Sequence, residues 1–88
     1  MDQRSVRRWP ARLRSAKLFD ASRRFLVECR VLDLSLTGAR LKPESDRPLP
    51  LDIRFQDENL ELCAPATIIW IRQGEIGIRF TGEFKAVD

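Results

Sequence analysis

The sequence predicts an all-β fold, a small six-stranded antiparallel barrel preceded by a flexible basic N-terminal arm. Apolar residues recur with a period of two through the body of the chain, the pattern of half-buried strands. Turn signals separate these stretches at intervals of about 8–12 residues, as in small sandwiches and barrels. No window of 11 or more residues carries a capped helical stripe. Closing the sheet into a barrel would remove edges that a chain of 88 residues has little else to cover.

In chain order, the reading divides the molecule into a basic arm over 1–14, a barrel over 15–82 and a tail over 83–88. The first strand is expected near 15–20. The second, near 24–33, alternates Phe25, Val27, Cys29 and Val31 with Leu26, Glu28, Arg30 and Leu32. A third near 37–42 follows the Thr37-Gly38 turn. The three prolines between Pro43 and Pro50 precede a fourth near 50–56, in which Leu51, Ile53 and Phe55 form the inward set. Asp57-Glu58-Asn59 leads into a fifth near 60–72. Pro65 should interrupt that strand or put it at an edge, since proline cannot donate to the ladder. After Gln73-Gly74-Glu75 comes the last strand, near 75–81, with Ile76, Ile78 and Phe80 inward.

One phase conflict marks a special position. If Val31 points inward, Asp33 and Ser35 share its parity, yet Leu34 also reads as core. A bulge or strand end near Leu32-Asp33 would turn Asp33 and Ser35 outward and keep Leu34 buried, and bulges often re-aim side chains at functional sites. Gly38 would then supply a positive φ or a close backbone approach to a ligand.

Charge is unevenly distributed. Residues 1–24 hold eight of the 16 Lys and Arg against only Asp2 and Asp20, a local balance of +6, and the remaining 64 residues carry −3. An anion is therefore expected to meet the N-terminal segment. Five of its first six basic residues are Arg, whose planar fork grips a phosphate or a guanine edge with two hydrogen bonds.

Two short motifs give this charge a specific reading. Arg8-Trp9-Pro10-Ala11-Arg12 has the form Arg-x-x-x-Arg, and Asp33-Leu34-Ser35-Leu36-Thr37-Gly38 has the form Asp-x-Ser-x-x-Gly, with 21 residues from Arg12 to Asp33. Ile69-Trp70-Ile71 followed by Gly74-Glu75-Ile76-Gly77-Ile78-Arg79-Phe80 completes the pattern. Together they resemble the PilZ domain family of bacterial cyclic di-GMP receptors, over about residues 7 to 81 and a domain of 4–82. The resemblance implies a split-barrel fold and bacterial second-messenger signalling. Residue by residue, it implies that Arg8 and Arg12 grip guanine edges and phosphate. Asp33 would accept from a guanine's N1 and N2, and Ser35 with the backbone near Gly38 would complete the shell. Arg7, directly before the motif, implies an intercalated ligand dimer. A second register, Arg4-x-x-x-Arg8, also fits the arginine motif; the spacing to Asp33 and the neighbouring Trp9-Pro10 favour Arg8 with Arg12. Trp70 is either an aromatic contact to the ligand or core, and Trp9 is a further stacking surface.

The mechanism this suggests is arm closure: the ligand orders the basic segment against the barrel and creates a surface for an as yet unidentified protein partner. Two alternatives stay open. One is a PilZ-like interaction adaptor that binds no nucleotide. The other is a small nucleic-acid-binding barrel, disfavoured because its Phe residues fall in inward sets. An enzyme is not expected: with no His and no Tyr, no catalytic residues and no metal ligands can be assigned, and no cofactor is called for beyond the cyclic di-GMP ligand. The charged N-terminus and the lack of a long apolar run predict a cytoplasmic protein without membrane insertion. Cys29 and Cys63 are expected to act as small hydrophobes.

Overall fold

A computed structural model of the chain describes residues 14–87. It comprises seven strands: β1 (Ser15–Phe19), β2 (Phe25–Leu34), β3 (Gly38–Pro43), β4 (Asp52–Asp57), β5 (Leu62–Arg72), β6 (Glu75–Phe80) and β7 (Lys85–Ala86). Every pairing is antiparallel. The order β4-β1-β2-β3-β6-β5 is closed by a β4–β5 pairing into a six-stranded barrel, and β7 pairs with the start of β5. The arm over 1–14 lies outside the described residues except for Arg14.

Alternation builds the core. Leu18, Val27, Cys29, Val31, Leu41, Ile53, Phe55, Ile68, Ile76 and Ile78 fill the interior as the inward-facing sets of six strands. Removing so much apolar surface from water is the main stabilising term in a domain this small, which buries only about 60–65% of its unfolded surface. Phe80 and Phe84 pack 4.7 Å apart against Phe55, so the tail contributes an aromatic plug rather than a helix.

Three irregularities depart from plain alternation. Between Leu18 and Phe19 the β1–β2 register shifts, so Phe25 leaves the inward set expected for it: it is half exposed and lies edge-on to Phe19 at 5.9 Å. Leu51, also expected inside, precedes β4 and is exposed. The second irregularity is the bulge expected near Leu32-Asp33. Val31 pairs with Leu41 and Asp33 with Arg40, which leaves Leu32 unmatched and keeps Leu34 buried. A third falls at Ile69, between the Ile68–Ile78 and Trp70–Gly77 pairs.

Pro65 corrects another expectation, because β5 runs through it unbroken and is flanked on both sides. β4 lies along one side; on the other, β6 ends at Ala66 and β7 begins at Cys63. The Pro65 carbonyl accepts from the Thr81 amide at 2.9 Å, on the β6 side. A strand residue's nitrogen points the same way as its carbonyl, so the missing donor falls where β5 changes partner.

Polar side chains shape the turns. Asp57, 1% exposed, accepts from the Asn59 amide at 2.8 Å and from Leu60, and forms an ion pair with Arg14. That pair fixes the start of β1, and the Arg14 carbonyl accepts from Val31 at 3.1 Å. Asp20 holds the β1–β2 turn through the amides of Ser22 and Arg24. Gln73 and Gly74, with φ of 53° and 78°, form the tight turn between β5 and β6, the positive-φ pair that matches strand twist in a two-residue hairpin.

Candidate functional site

The site grows out of the β2–β3 turn. Ser35 donates its amide to the Gly38 carbonyl at 2.9 Å, and its Oγ accepts from the amides of Thr37 at 3.2 Å and Gly38 at 3.3 Å. A serine two or three residues before the donors it satisfies is a self-contained turn, which explains Ser35 and its spacing to Gly38 without a ligand. The turn is docked on β6 by the Phe80 amide, which donates to the Thr37 carbonyl at 2.9 Å.

Gly38 does not have the positive φ that was one of its two expected roles. Gly74 carries the positive φ among the described glycines, whereas a Cβ at Gly38 would collide with the carbonyl oxygen of Ile78. It lets β3 approach β6 closely.

Asp33 sits just past the Leu32 bulge, partly exposed and opposite Arg40. The bulge at Ile69 performs a matching task on β5. It turns Trp70 outward across from Gly77, and the indole lies so close over that glycine that any side chain there would strike the ring. Arg72 places its guanidinium 4.8 Å from the Trp70 ring centroid, a cation–π contact. Trp70 is therefore a half-buried surface aromatic and not a core residue.

These pieces converge. Asp33, Ser35, Gly38 and Trp70 line one open concavity of about 230 Å³, together with Arg40 and Ile69. Four of the sequence-derived site residues thus share a face, although they come from strands that are far apart in sequence. Arg7, Arg8 and Arg12, with Arg4 and Trp9, lie outside the described residues.

Sequence reasoning missed Arg40. Its Nη1 donates to Glu75 at 3.2 Å, and both side chains are partly exposed. The available signal was its place two residues beyond Gly38 in a strand whose inward position is Leu41. No cluster of side chains able to hold a metal ion occurs among the described residues.

In comparisons with known proteins, the model of the PilZ domain matches residues 2–84, nearly the whole chain. The chain belongs to the PilZ domain family. The match takes in both motifs and extends through Phe84 of the aromatic plug. No curated protein and no solved structure matches the chain. PilZ domains are in general cyclic di-GMP receptors and binding or adaptor modules rather than enzymes, and the closed barrel of this chain fits that family fold. Among the described residues, no helix is long and apolar enough to cross a membrane.

Cys29 and Cys63 differ. Cys29 is buried, and burial, with smaller contributions from Glu44 and Glu28, pushes its thiol up to about 12. Cys63 faces outward on β5, partly exposed, and Arg54 Nη2 approaches its Sγ at 4.0 Å. The expectation of a small hydrophobe suits the first cysteine and not the second.

Proposed function

We propose that this PilZ domain is a cyclic di-GMP receptor in which the arginines of the segment 1–14 close over the concavity at Asp33 and clamp the nucleotide. The observation that carries this reading is the convergence of Asp33, Trp70 and the Ser35–Gly38 turn on one face, beside the point where the arginine segment joins the barrel. The Arg14 carbonyl is bonded to Val31, two residues from Asp33. Extended chain covers about 3.3–3.6 Å per residue, so Arg12 and Arg8, two and six residues before Arg14, have tethers of about 7 and 20 Å. Both are long enough for their side chains to meet a ligand lying against Asp33.

The chemistry is complementary. Asp33 accepts from the N1 and N2 donors of a guanine, and arginine forks pair with O6 and N7 or with phosphate oxygens. Trp70, backed by Gly77, offers an indole edge to a base. Arg7 joins the clamp and favours two intercalated ligand molecules. Ordering a residue costs about 1–2 kcal/mol of backbone entropy, so several charge-assisted bonds are needed to close the arm. The closed arm then forms a surface that a protein partner reads.

Trypsin tests the closure directly, since Arg4, Arg7, Arg8 and Arg12 are its cleavage sites in the segment before the fixed Arg14. Cyclic di-GMP should protect those bonds in the wild-type chain and leave them unprotected in Asp33→Ala. Equal cleavage with and without ligand would reject closure.

A further inference from the structure

The far wall of the barrel carries a second cationic concavity. β1 and β4 stand opposite β3 and β6 in the closed strand order, away from the Asp33 face. Because Leu18, Ile53, Phe55 and Ala64 point inward, the alternate residues face solvent there. Register aligns them in two rows: Phe19 beside Arg54, and Gln56 beside Cys63 and then Lys85.

Phe19, Arg23, Arg54, Gln56, Cys63 and Lys85 line a concavity of about 300 Å³. Its lining contains three cations and no carboxylate among the described residues. The nearby Lys17 is engaged by Glu58 at 3.5 Å, and among the described residues no carboxylate lies within ion-pair distance of Arg23, Arg54 or Lys85. Arg23 is held with a φ of 71°, where a glycine or asparagine is ordinary, by the Asp20 turn that accepts its amide at 2.9 Å.

The geometry points to a second binding site, for a small phosphate-bearing anion, on the β1–β4–β5–β7 wall. Two arginines and one lysine line this one concavity of about 300 Å³, room for one phosphorylated group. Arg pairs with phosphate through two parallel bonds, and Lys adds a point charge. The Phe19 ring supplies an apolar rim against which the organic part of such a molecule packs, and the Gln56 amide adds a neutral donor and acceptor. β7 is part of the design, because its pairing with β5 brings Lys85 alongside Cys63. This site stands independently of cyclic di-GMP binding, since it shares no residue with the Asp33 concavity.

The test is an amide NMR titration of the full chain with pyrophosphate and with phenyl phosphate, which carries no guanine, at fixed ionic strength, using citrate as the carboxylate control. Saturable shifts at Phe19, Arg23, Arg54 and Lys85, with a dissociation constant below about 1 mM, are expected for both phosphate probes. Arg54→Gln and Lys85→Gln should each weaken them by about tenfold or more, and Arg47→Gln on the β3–β4 connection should not. Shifts centred on Asp33 and Trp70, equal binding of citrate, or shifts spread over all the surface cations would each overturn the assignment. Retained affinity in a folded Arg54→Gln/Lys85→Gln double variant would do the same.

Discussion

At the scale of single residues, the two cysteines and Gly77 have unequal fates that follow from which way a strand faces. Cys29 is sealed in the core with its thiol pushed up to about 12, whereas Cys63 sits outward beside Arg54. A thiol reagent should therefore react with one equivalent in the native protein and two after denaturation, and Cys63→Ser should abolish the native reaction. Two fast native equivalents would contradict the burial of Cys29. The shift has a sign: the unfolded thiol ionises near its ordinary value of 9.0 and the folded one near 12, so the folded state holds the extra proton between them. Cys29 thus contributes stability below pH 9 that is lost as pH rises toward 12, and Cys29→Ala should flatten that alkaline decline. Gly77 faces the Trp70 indole. Gly77→Ala should push the ring out, cost about 1–3 kcal/mol, as overpacking does, and shift Trp fluorescence to the red in chemical denaturation experiments read at low denaturant. Unchanged emission and midpoint would show that the indole does not depend on that glycine.

At the scale of elements, strand turns and bulges do most of the positioning. Alternation located all six barrel strands within two residues at each end, because a period of two with one buried face is a strong local signal. The bulge at Leu32 was legible from the clash between Val31, Asp33 and Leu34 parity, but the one at Ile69 was not. In Ile68-Ile69-Trp70-Ile71 every residue is apolar, so no phase conflict reveals a slip, and Trp70 read equally well as core or as surface. The β1–β2 shift that exposes Phe25 was hidden for the same reason, with an apolar residue available at each parity. Pro65 misled because the rule it follows is local, and only the sheet order reveals that β5 changes partners beside it. The tail strand β7 is too short to show a period at all. Its anchor is Phe84, set edge-to-face against Phe80 and Phe55. Phe84→Ala should cost about 2–4 kcal/mol for a partly buried ring, lowering Tm by roughly 10 °C or more. A loss below about 0.5 kcal/mol would mean that the plug does not stabilise the barrel.

At the scale of the whole molecule, closure of the barrel brings together residues that the sequence lists 37 positions apart, Asp33 and Trp70, and leaves the opposite wall for a different chemistry. Family membership was legible because two motifs with a fixed separation are far more specific than either one. Arg40 escaped notice because its relation to the site depends on the β3–β6 neighbourhood and the Glu75 pair, neither of which a linear motif encodes. Positive charge is concentrated in residues 1–24, against a net −3 for the rest; in the proposed receptor the arginine segment is the electrostatic half and Asp33 with Trp70 the half that would recognise guanine. The most direct test is isothermal titration of the full chain with cyclic di-GMP, alongside Arg8→Ala and Asp33→Ala. The account predicts saturable binding with a dissociation constant of about a micromolar, near −8 kcal/mol, a ratio of about two ligands per chain, and loss of binding in both variants. No heat from folded wild-type protein at tens of micromolar, or full affinity in Asp33→Ala, would contradict it and leave this PilZ barrel as an adaptor that works without the nucleotide.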